Sequence, residues 1–240
     1  MKKSMLVCAI GLSVALGLVN DAKADDRAWA WSPLGIGIAA PAQLPFCSSD
    51  VYGLRFGGLF GYNNDVYGVD CGVAELTAGN FAGVQASAMS WTEGASYGIQ
   101  VAPIANVVGS KSIALQAAFA NVVWDDAGGL QSGVVNYDMS YAGLQFGAVM
   151  NWCNAASYGG QLGLINVDQD EFVGADIGFI NYVGKNTGFQ FGAFNIAYEM
   201  SGFQLGLVNG CDHMHGVQIG LINIISHSKL PIMVLGNAEF

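Results

Sequence analysis

The chain has 240 residues, of which 52% are hydrophobic and only 11% charged, with a formal net charge of −10. The excess of acidic residues argues against nucleic acid as a partner and against electrostatic binding to anionic lipid, since both depend on clustered Lys and Arg. The high apolar fraction excludes a disordered acidic chain, and one repeat array fills nearly all of the length, so we expect a single domain.

Residues 1–24 have the pattern of a secretory signal peptide. Lys2 and Lys3 precede an apolar stretch at residues 5–19, and Ala22-Lys23-Ala24 supplies a small-x-small cleavage sequence. The apolar stretch is too short to cross a bilayer as a helix. We therefore expect an exported mature chain that begins at Asp25 and carries 5 basic and 17 acidic side chains.

Residues 25–51 lack the repeat that follows, which predicts an N-terminal capping segment. From residue 52 to 228 the phrase G-x-Q-x-G-x-x-N recurs twelve times at steps of 14 to 16 residues, most clearly at residues 216–223. Such periodicity is typical of a repeat architecture in which each unit packs against its neighbours. The units open at Gly53, Gly68, Gly83, Gly98, Ala114, Gly129, Gly143, Gly159, Gly174, Gly188, Gly202 and Gly216.

Residues alternate within each unit. With the opening residue as position zero, positions one, three and five are apolar, as in Leu144, Phe146 and Ala148, whereas positions zero, two and four are Gly, Gln and Gly. This alternation predicts a β-strand with one buried face. We expect the apolar positions to face the core and the Gly and Gln positions to form a flat outer face. Asn at position seven suits a corner.

Two closed architectures accommodate a strand every 15 residues. One is an all-β parallel β-solenoid of about twelve coils, and the other is an up-and-down outer-membrane β-barrel. We favour the solenoid, because a parallel stack places like residues over like residues, and Asn and Gln ladders are stabilising. The early units carry Glu75, Ser90 and Ala105 where Asn is expected. The expected ladder residues are Gln131, Gln145, Gln161, Gln190, Gln204, Gln218, Asn136, Asn166, Asn181, Asn195, Asn209 and Asn223.

Residues 229–240 depart from the repeat and are predicted to form a C-terminal cap, in which Pro231 discourages further edge pairing. Together with the tandem units and the signal peptide, the closing pattern of Leu230, Pro231 and Asn237 resembles a family of bacterial surface-repeat proteins over about residues 52–240. The resemblance implies an envelope or surface location in a bacterium of the Gram-negative type. It supplies no catalytic residues.

Sequence motifs for catalysis are missing: there is no G-x-S-x-G, no H-E-x-x-H and no phosphate-binding loop. We expect a non-enzymatic protein without a cofactor. The sharpest polar cluster is Cys211, Asp212, His213 and His227. In a solenoid His213 and His227 would stack, and could share Zn²⁺ with Asp212 or Cys211, although solvated turn histidines are the favoured interpretation.

A second acidic cluster, Asp168, Asp170 and Glu171, could bind Ca²⁺ weakly, although a solvated turn is favoured because the spacing of calcium repeats is absent. The cysteines of the expected mature chain, Cys47, Cys71, Cys153 and Cys211, occupy different phases of the repeat. We expect mostly free, buried thiols rather than a disulfide framework.

These features favour an exported cell-surface or outer-membrane-associated repeat protein with a structural or adhesion-like binding role. The alternative is an integral outer-membrane β-barrel that acts as a pore. Envelope proteins and surface glycans are the expected partners, membrane association is possible, and nucleic acid is not expected.

Overall fold

The computed structural model describes residues 31–40, 42–45 and 48–240, so the predicted signal peptide and Cys47 lie outside the described residues. Within them the regular structure is entirely β. The strands are β1 (Trp31–Ala39), β2 (Ala42–Leu44), β3 (Asp50–Asn63), β4 (Val66–Thr77), β5 (Phe81–Thr92), β6 (Ser96–Val108), β7 (Ser112–Cys153), β8 (Ser157–Ile225) and β9 (Ile232–Glu239).

The strands form one sheet in the order β2-β1-β3-β4-β5-β6-β7-β8-β9. All pairings from β1–β3 to β7–β8 are parallel. Equivalent repeat positions pair with each other, as in Gly53 with Gly68 and Gly68 with Gly83. The protein is therefore a parallel β-solenoid, as the periodicity predicts. An up-and-down arrangement would have made these neighbours antiparallel.

The nine strands do not correspond one to one with the expected count of about twelve coils. The difference arises because β7 and β8, with 42 and 69 residues, run through several successive repeats without a break. Among the described residues, no helix is long and apolar enough to cross a membrane.

The backbone conformation and the close approach of the preceding coil explain why glycine recurs at the opening position. Gly83 has φ of 145°, and a Cβ atom placed on it would overlap the carbonyl oxygen of Gly68 in the preceding coil. An L-residue side chain fits neither this dihedral region nor this close approach. The glycine column thus allows successive coils to stack at this point.

Side chains at four positions of the coil line the interior of the solenoid. We call the residues that occupy one such position in successive coils a column. The four are the Gln column at position two, the Asn column at position seven or eight, a column two residues after the Asn column, and a column two residues before the next opening residue. The last two columns contain small apolar clusters, including Val108 with Val123 and Met200 with Met214. Polar and apolar side chains therefore share one narrow core.

The predicted orientation of the two strand faces is wrong. Gln145 is 1% exposed, whereas its neighbours Leu144 and Phe146 are 51% and 41% exposed. Alternation establishes only that the two sets of residues point in opposite directions. Identical amides stacked in parallel bond to each other, so they can be buried without leaving polar groups unpaired, and the apolar set then faces outward.

Both ends of the stack are covered by a short antiparallel strand. At the start, β2 pairs with β1, and the Gln43 amide exchanges hydrogen bonds with the backbone of Tyr62. At the end, β9 pairs with the last part of β8. The buried Asn237 donates to the Leu230 carbonyl at 3.3 Å, which explains the spacing of the closing pattern.

Candidate functional site

The Asn column is a continuous hydrogen-bonded ladder. From Asn106 to Asn223 each side-chain amide donates to the next Asn Oδ1, at 2.8 to 3.0 Å. Asn106 and Asn151 belong to the ladder although they lie eight residues after their opening glycines, because a register shift absorbs the extra residue. In the unit that opens at Gly98, the Asn position of the ladder is therefore occupied by Asn106 and not, as counting seven residues from the glycine predicts, by Ala105.

The Gln column forms a second ladder whose donors point the opposite way. Each Gln Nε2 donates to the Oε1 of the preceding Gln, whereas each Asn donates to the following Asn. The opposed amide dipoles partly cancel along the axis. The bonded runs are Gln85 to Gln145 and Gln190 to Gln218.

The Gln ladder is interrupted between these two runs. Asp176 takes the Gln position in one coil, and Gln161 donates to the carboxyl of Asp168 at 3.0 Å instead of to Gln145. Of the expected ladder residues, Gln161 is thus buried in its column but bonded outside the ladder. The interruption places two acidic side chains inside the solenoid in adjacent coils.

These interior acids are poorly solvated. Burial raises the pKa of Asp168 to about 7, although hydrogen bonds from Ser157 and Gln161 act in the opposite direction. Burial and the neighbouring Asp168 raise the pKa of Asp176. Burial also raises the pKa of Asp138, although Gln131 and Gln145 donate to its carboxyl at 2.8 and 2.5 Å. Desolvation therefore shifts all three carboxyls toward the protonated form relative to a solvated aspartate.

A different arrangement occupies the first coils. Arg55 and Asp70 replace Gln at position two of successive repeats and form a bidentate pair, with Nε to Oδ1 at 2.7 Å and a terminal nitrogen to Oδ2 at 2.6 Å. The same guanidinium lies 3.2 Å from Glu75 Oε2. Burial and Asp70 raise the pKa of Glu75 to about 8, against the lowering effect of Arg55.

The histidine cluster is divided between the inside and the outside of the solenoid. The rings of His213 and His227 stack at 4.3 Å between centroids, as expected for equivalent positions of adjacent coils. Cys211 instead points inward, where burial raises the pKa of its thiol to about 12. The structure gives the disfavoured zinc alternative no support, since among the described residues no group of three or more His, Cys, Asp or Glu could hold a metal ion.

The second acidic cluster is divided in the same way. The Asp168 side chain lies inside, whereas Asp170 is exposed and Glu171 lies 4.0 Å from the exposed Lys185. The three carboxylates do not converge on a common point, so the expected calcium alternative has no geometric support. Cys71, Cys153 and Cys211 are free thiols, and the last two are buried, in agreement with the sequence-based expectation.

The outer surface has two chemically distinct parts. In the repeats its charged side chains occur three to five residues before the opening residue in nine of the twelve units, and they form a mainly acidic ridge along the stack. The units that open at Gly83, Gly143 and Gly159 have no outward charged side chain at these positions. We call this the acidic ridge; it consists of Asp50, Asp65, Glu93, Lys111, Asp125, Asp126, Asp170, Glu171, Lys185, Glu199 and Asp212.

The remaining outer surface is apolar. From the residue before the opening glycine to the residue after the Asn column, no outward-facing side chain in the described repeats is Asp, Glu, Lys or Arg. We call this region the apolar surface. Exposed members at position five alone include Phe119, Leu164, Phe179, Leu207 and Leu221. This surface could have been predicted from the sequence, because the outward charged residues all occur at the same few positions of the repeat.

Comparisons of the chain with protein-family models, with curated proteins and with solved structures found no match.

Proposed function

We propose that the protein is an exported, non-enzymatic component of a bacterial envelope, located at the cell surface or outer membrane, where it binds through its apolar surface. The resemblance of its repeats to bacterial surface-repeat proteins supports the location. The binding role is supported by one observation above all: amide side chains are buried while Leu, Ile, Val and Phe are exposed along the whole stack.

This distribution is the reverse of the one that the hydrophobic effect favours in water. The largest apolar patch on a typical soluble monomer covers a few hundred Å², and larger patches mark contacts with proteins or membranes. The glycine-stacked coils from Gly53 to Gly216 extend for roughly 50 Å at about 4.8 Å per coil. A patch of that length supports a binding rather than a merely structural surface.

The pore alternative requires an up-and-down barrel, whereas β3 to β8 pair in parallel around an interior lined by side chains. Envelope proteins and surface glycans remain possible partners of the proposed binding protein. The Tyr side chains at the edge of the apolar surface offer rings on which sugars can stack.

Localisation tests the proposal. The full chain is produced in a Gram-negative host, the cells are fractionated, and the protein is followed by immunodetection in the cytoplasm, periplasm and envelope. We expect it in the envelope fraction, and we expect a variant lacking residues 1–24 to remain inside the cell. Recovery of the full chain in the cytoplasm would contradict the proposed location.

A further inference from the structure

We infer that the apolar surface binds a lipid bilayer, with the solenoid lying along the membrane, its apolar surface against the acyl chains and its acidic ridge in water. The inference rests on the proposed function, whose binding partner it names. It is carried by three observations: the segregation of charge, the placement of Tyr and Trp, and the internal pairing of polar groups.

Charge is segregated around the solenoid axis. The acidic ridge occupies one phase of the repeat, and the rest of the outer circumference of the described repeats carries no Asp, Glu, Lys or Arg. An element with one charged side and one apolar side lies in a membrane interface with the apolar side down. Because the ridge is mainly acidic, the attraction must come from apolar burial and not from anionic headgroups.

Tyr and Trp occur at both edges of the acidic ridge, in four of the twelve repeats at the first edge and in five at the second. One edge is the residue before the opening glycine, and the other is the residue after the Asn column. Rings with an apolar body and a polar tip are enriched at the boundary between acyl chains and water. The aromatic residues at the first edge are Tyr52, Tyr67, Tyr97 and Tyr158, and those at the second are Tyr62, Trp91, Tyr137, Trp152 and Tyr182.

Equivalent residues at each edge lie over one another in successive coils. Tyr52 and Tyr67, from adjacent coils, stack at 5.1 Å between centroids. Tyr62, Leu76 and Trp91 occupy paired positions in β3, β4 and β5. Both edges therefore run parallel to the solenoid axis, which is the geometry required for a rod that lies along a flat interface.

The backbone groups and the Asn amides behind the apolar surface are paired inside the protein. Backbone groups of each coil bond to the adjacent coils in the parallel sheet, and the Asn ladder bonds amide to amide through the stack. A surface in contact with hydrocarbon must satisfy its backbone groups internally. The apolar surface meets that requirement, because its backbone groups are hydrogen-bonded to the adjacent coils.

A bilayer fits these features better than a protein partner does. Protein interfaces carry about one hydrogen bond per 100–200 Å² and a polar rim, whereas the described apolar surface offers few side-chain donors or acceptors. A second copy would cover one side of the rod but would not account for Tyr and Trp at both edges of the ridge. The surface instead matches a partner that is uniform, apolar and bounded by water.

Vesicle flotation tests the inference with purified mature protein and vesicles of zwitterionic phosphatidylcholine. We expect binding that persists at high salt and that anionic phosphatidylglycerol does not strengthen. Leu164→Glu adds a carboxylate to the apolar surface at a site that is 56% exposed. The matched control Gln169→Glu adds the same group to the ridge of the same repeat. We expect Leu164→Glu to weaken binding at least tenfold and Gln169→Glu to leave it unchanged.

Orientation is read from an environment-sensitive fluorophore attached to Leu164→Cys or Gln169→Cys in a background with Cys47 and Cys71 changed to serine. On vesicles the label at position 164 should shift to the blue and be protected from aqueous iodide, whereas the label at 169 should remain quenchable. Circular dichroism confirms that each variant is folded, and because both sites are exposed neither change disturbs the core.

Three outcomes would overturn the inference. They are the absence of flotation, equal weakening by both Glu variants, and self-association that Leu164→Glu abolishes without any vesicle binding. The first of these, combined with envelope localisation in cells, leaves the proposed function intact and removes only lipid as the partner. Vesicle flotation of a protein that is recovered in the cytoplasm would support lipid binding and contradict the proposed location.

Discussion

The first coils and the middle coils of this solenoid bury carboxyl groups in the same narrow interior and neutralise them by different means. In the first coils Asp70 lies in a bidentate pair with Arg55. In the middle coils Asp168 and Asp176 have amide and hydroxyl neighbours but no cation within bonding distance among the described residues. The first coils therefore balance Asp70 with a cation, whereas the middle carboxyls have no cation and burial raises their pKa.

The comparison shows what a solenoid interior permits. An isolated ionised carboxylate in such a site costs several kcal/mol, so the group either takes a cation partner or shifts its pKa. Asp168 Oδ2 and Asp176 Oδ1 have no hydrogen-bond partner, so no donor stabilises negative charge on these atoms. The Gln column supplies donors to both kinds of site without changing the backbone.

Removing the cation should give the largest effect. Arg55→Met leaves Asp70 and Glu75 buried beside each other without a cation, although Gln85 still donates to Asp70. We expect a loss of about 3–5 kcal/mol in the free energy of unfolding. Urea denaturation followed by circular dichroism measures it. The control is the double variant Arg55→Gln, Asp70→Gln, which restores the residue typical of the repeat and should recover most of the loss. A single variant as stable as the native protein would show that the pair is not what neutralises these coils.

The proton in the middle coils should make stability depend on pH. The folded pKa of Asp168 is raised to about 7, above an unfolded value near 3.8. Between these values the folded state binds more protons than the unfolded state. The contribution of Asp168 is therefore complete below about pH 4 and is lost as the pH rises through about 7.

For this group alone the free energy of unfolding should fall by about 1.4 kcal/mol per pH unit within that window. Asp168→Asn should remove this part of the slope, whereas Asp170→Asn, on the exposed ridge, should retain it. Urea denaturation at a series of pH values from 4 to 8 provides the measurement. Identical slopes in native protein and Asp168→Asn would mean that the carboxyl is ionised inside the solenoid.

The repeat period was sufficient to predict the parallel stack, because only parallel coils bring every Gln and every Asn into contact with its own kind. The placement of Asp168 could not be read in the same way. Asp168-Gln169-Asp170-Glu171 has the composition of a solvated turn, and only the coil geometry shows that its first residue points inward. The Arg55–Asp70 pair had a sequence signal, since both residues depart from Gln at position two.

The orientation of the faces was the main error, and its cause is physical. Hydrophobic patterning assumes that water surrounds the protein and that buried amides are costly. The second assumption fails here, because the stacked amides satisfy each other. The first fails if the apolar surface binds a bilayer, as we propose. No count of apolar residues in the sequence distinguishes this arrangement from the usual one.

A pair of alanine variants, in a coil whose interior contains no acidic residue, tests that orientation and gives the smallest effect. Gln204 donates to Gln190 at 2.6 Å and accepts from Gln218 at 2.8 Å. Gln204→Ala leaves both without this partner, so we expect a loss on the order of 1–3 kcal/mol in the free energy of unfolding. Leu207 is 52% exposed, and Leu207→Ala should change that free energy by about 0.5 kcal/mol or less. Urea denaturation of both variants at one pH decides the matter, because a larger loss from Leu207→Ala would place the apolar residues inside and the amides outside.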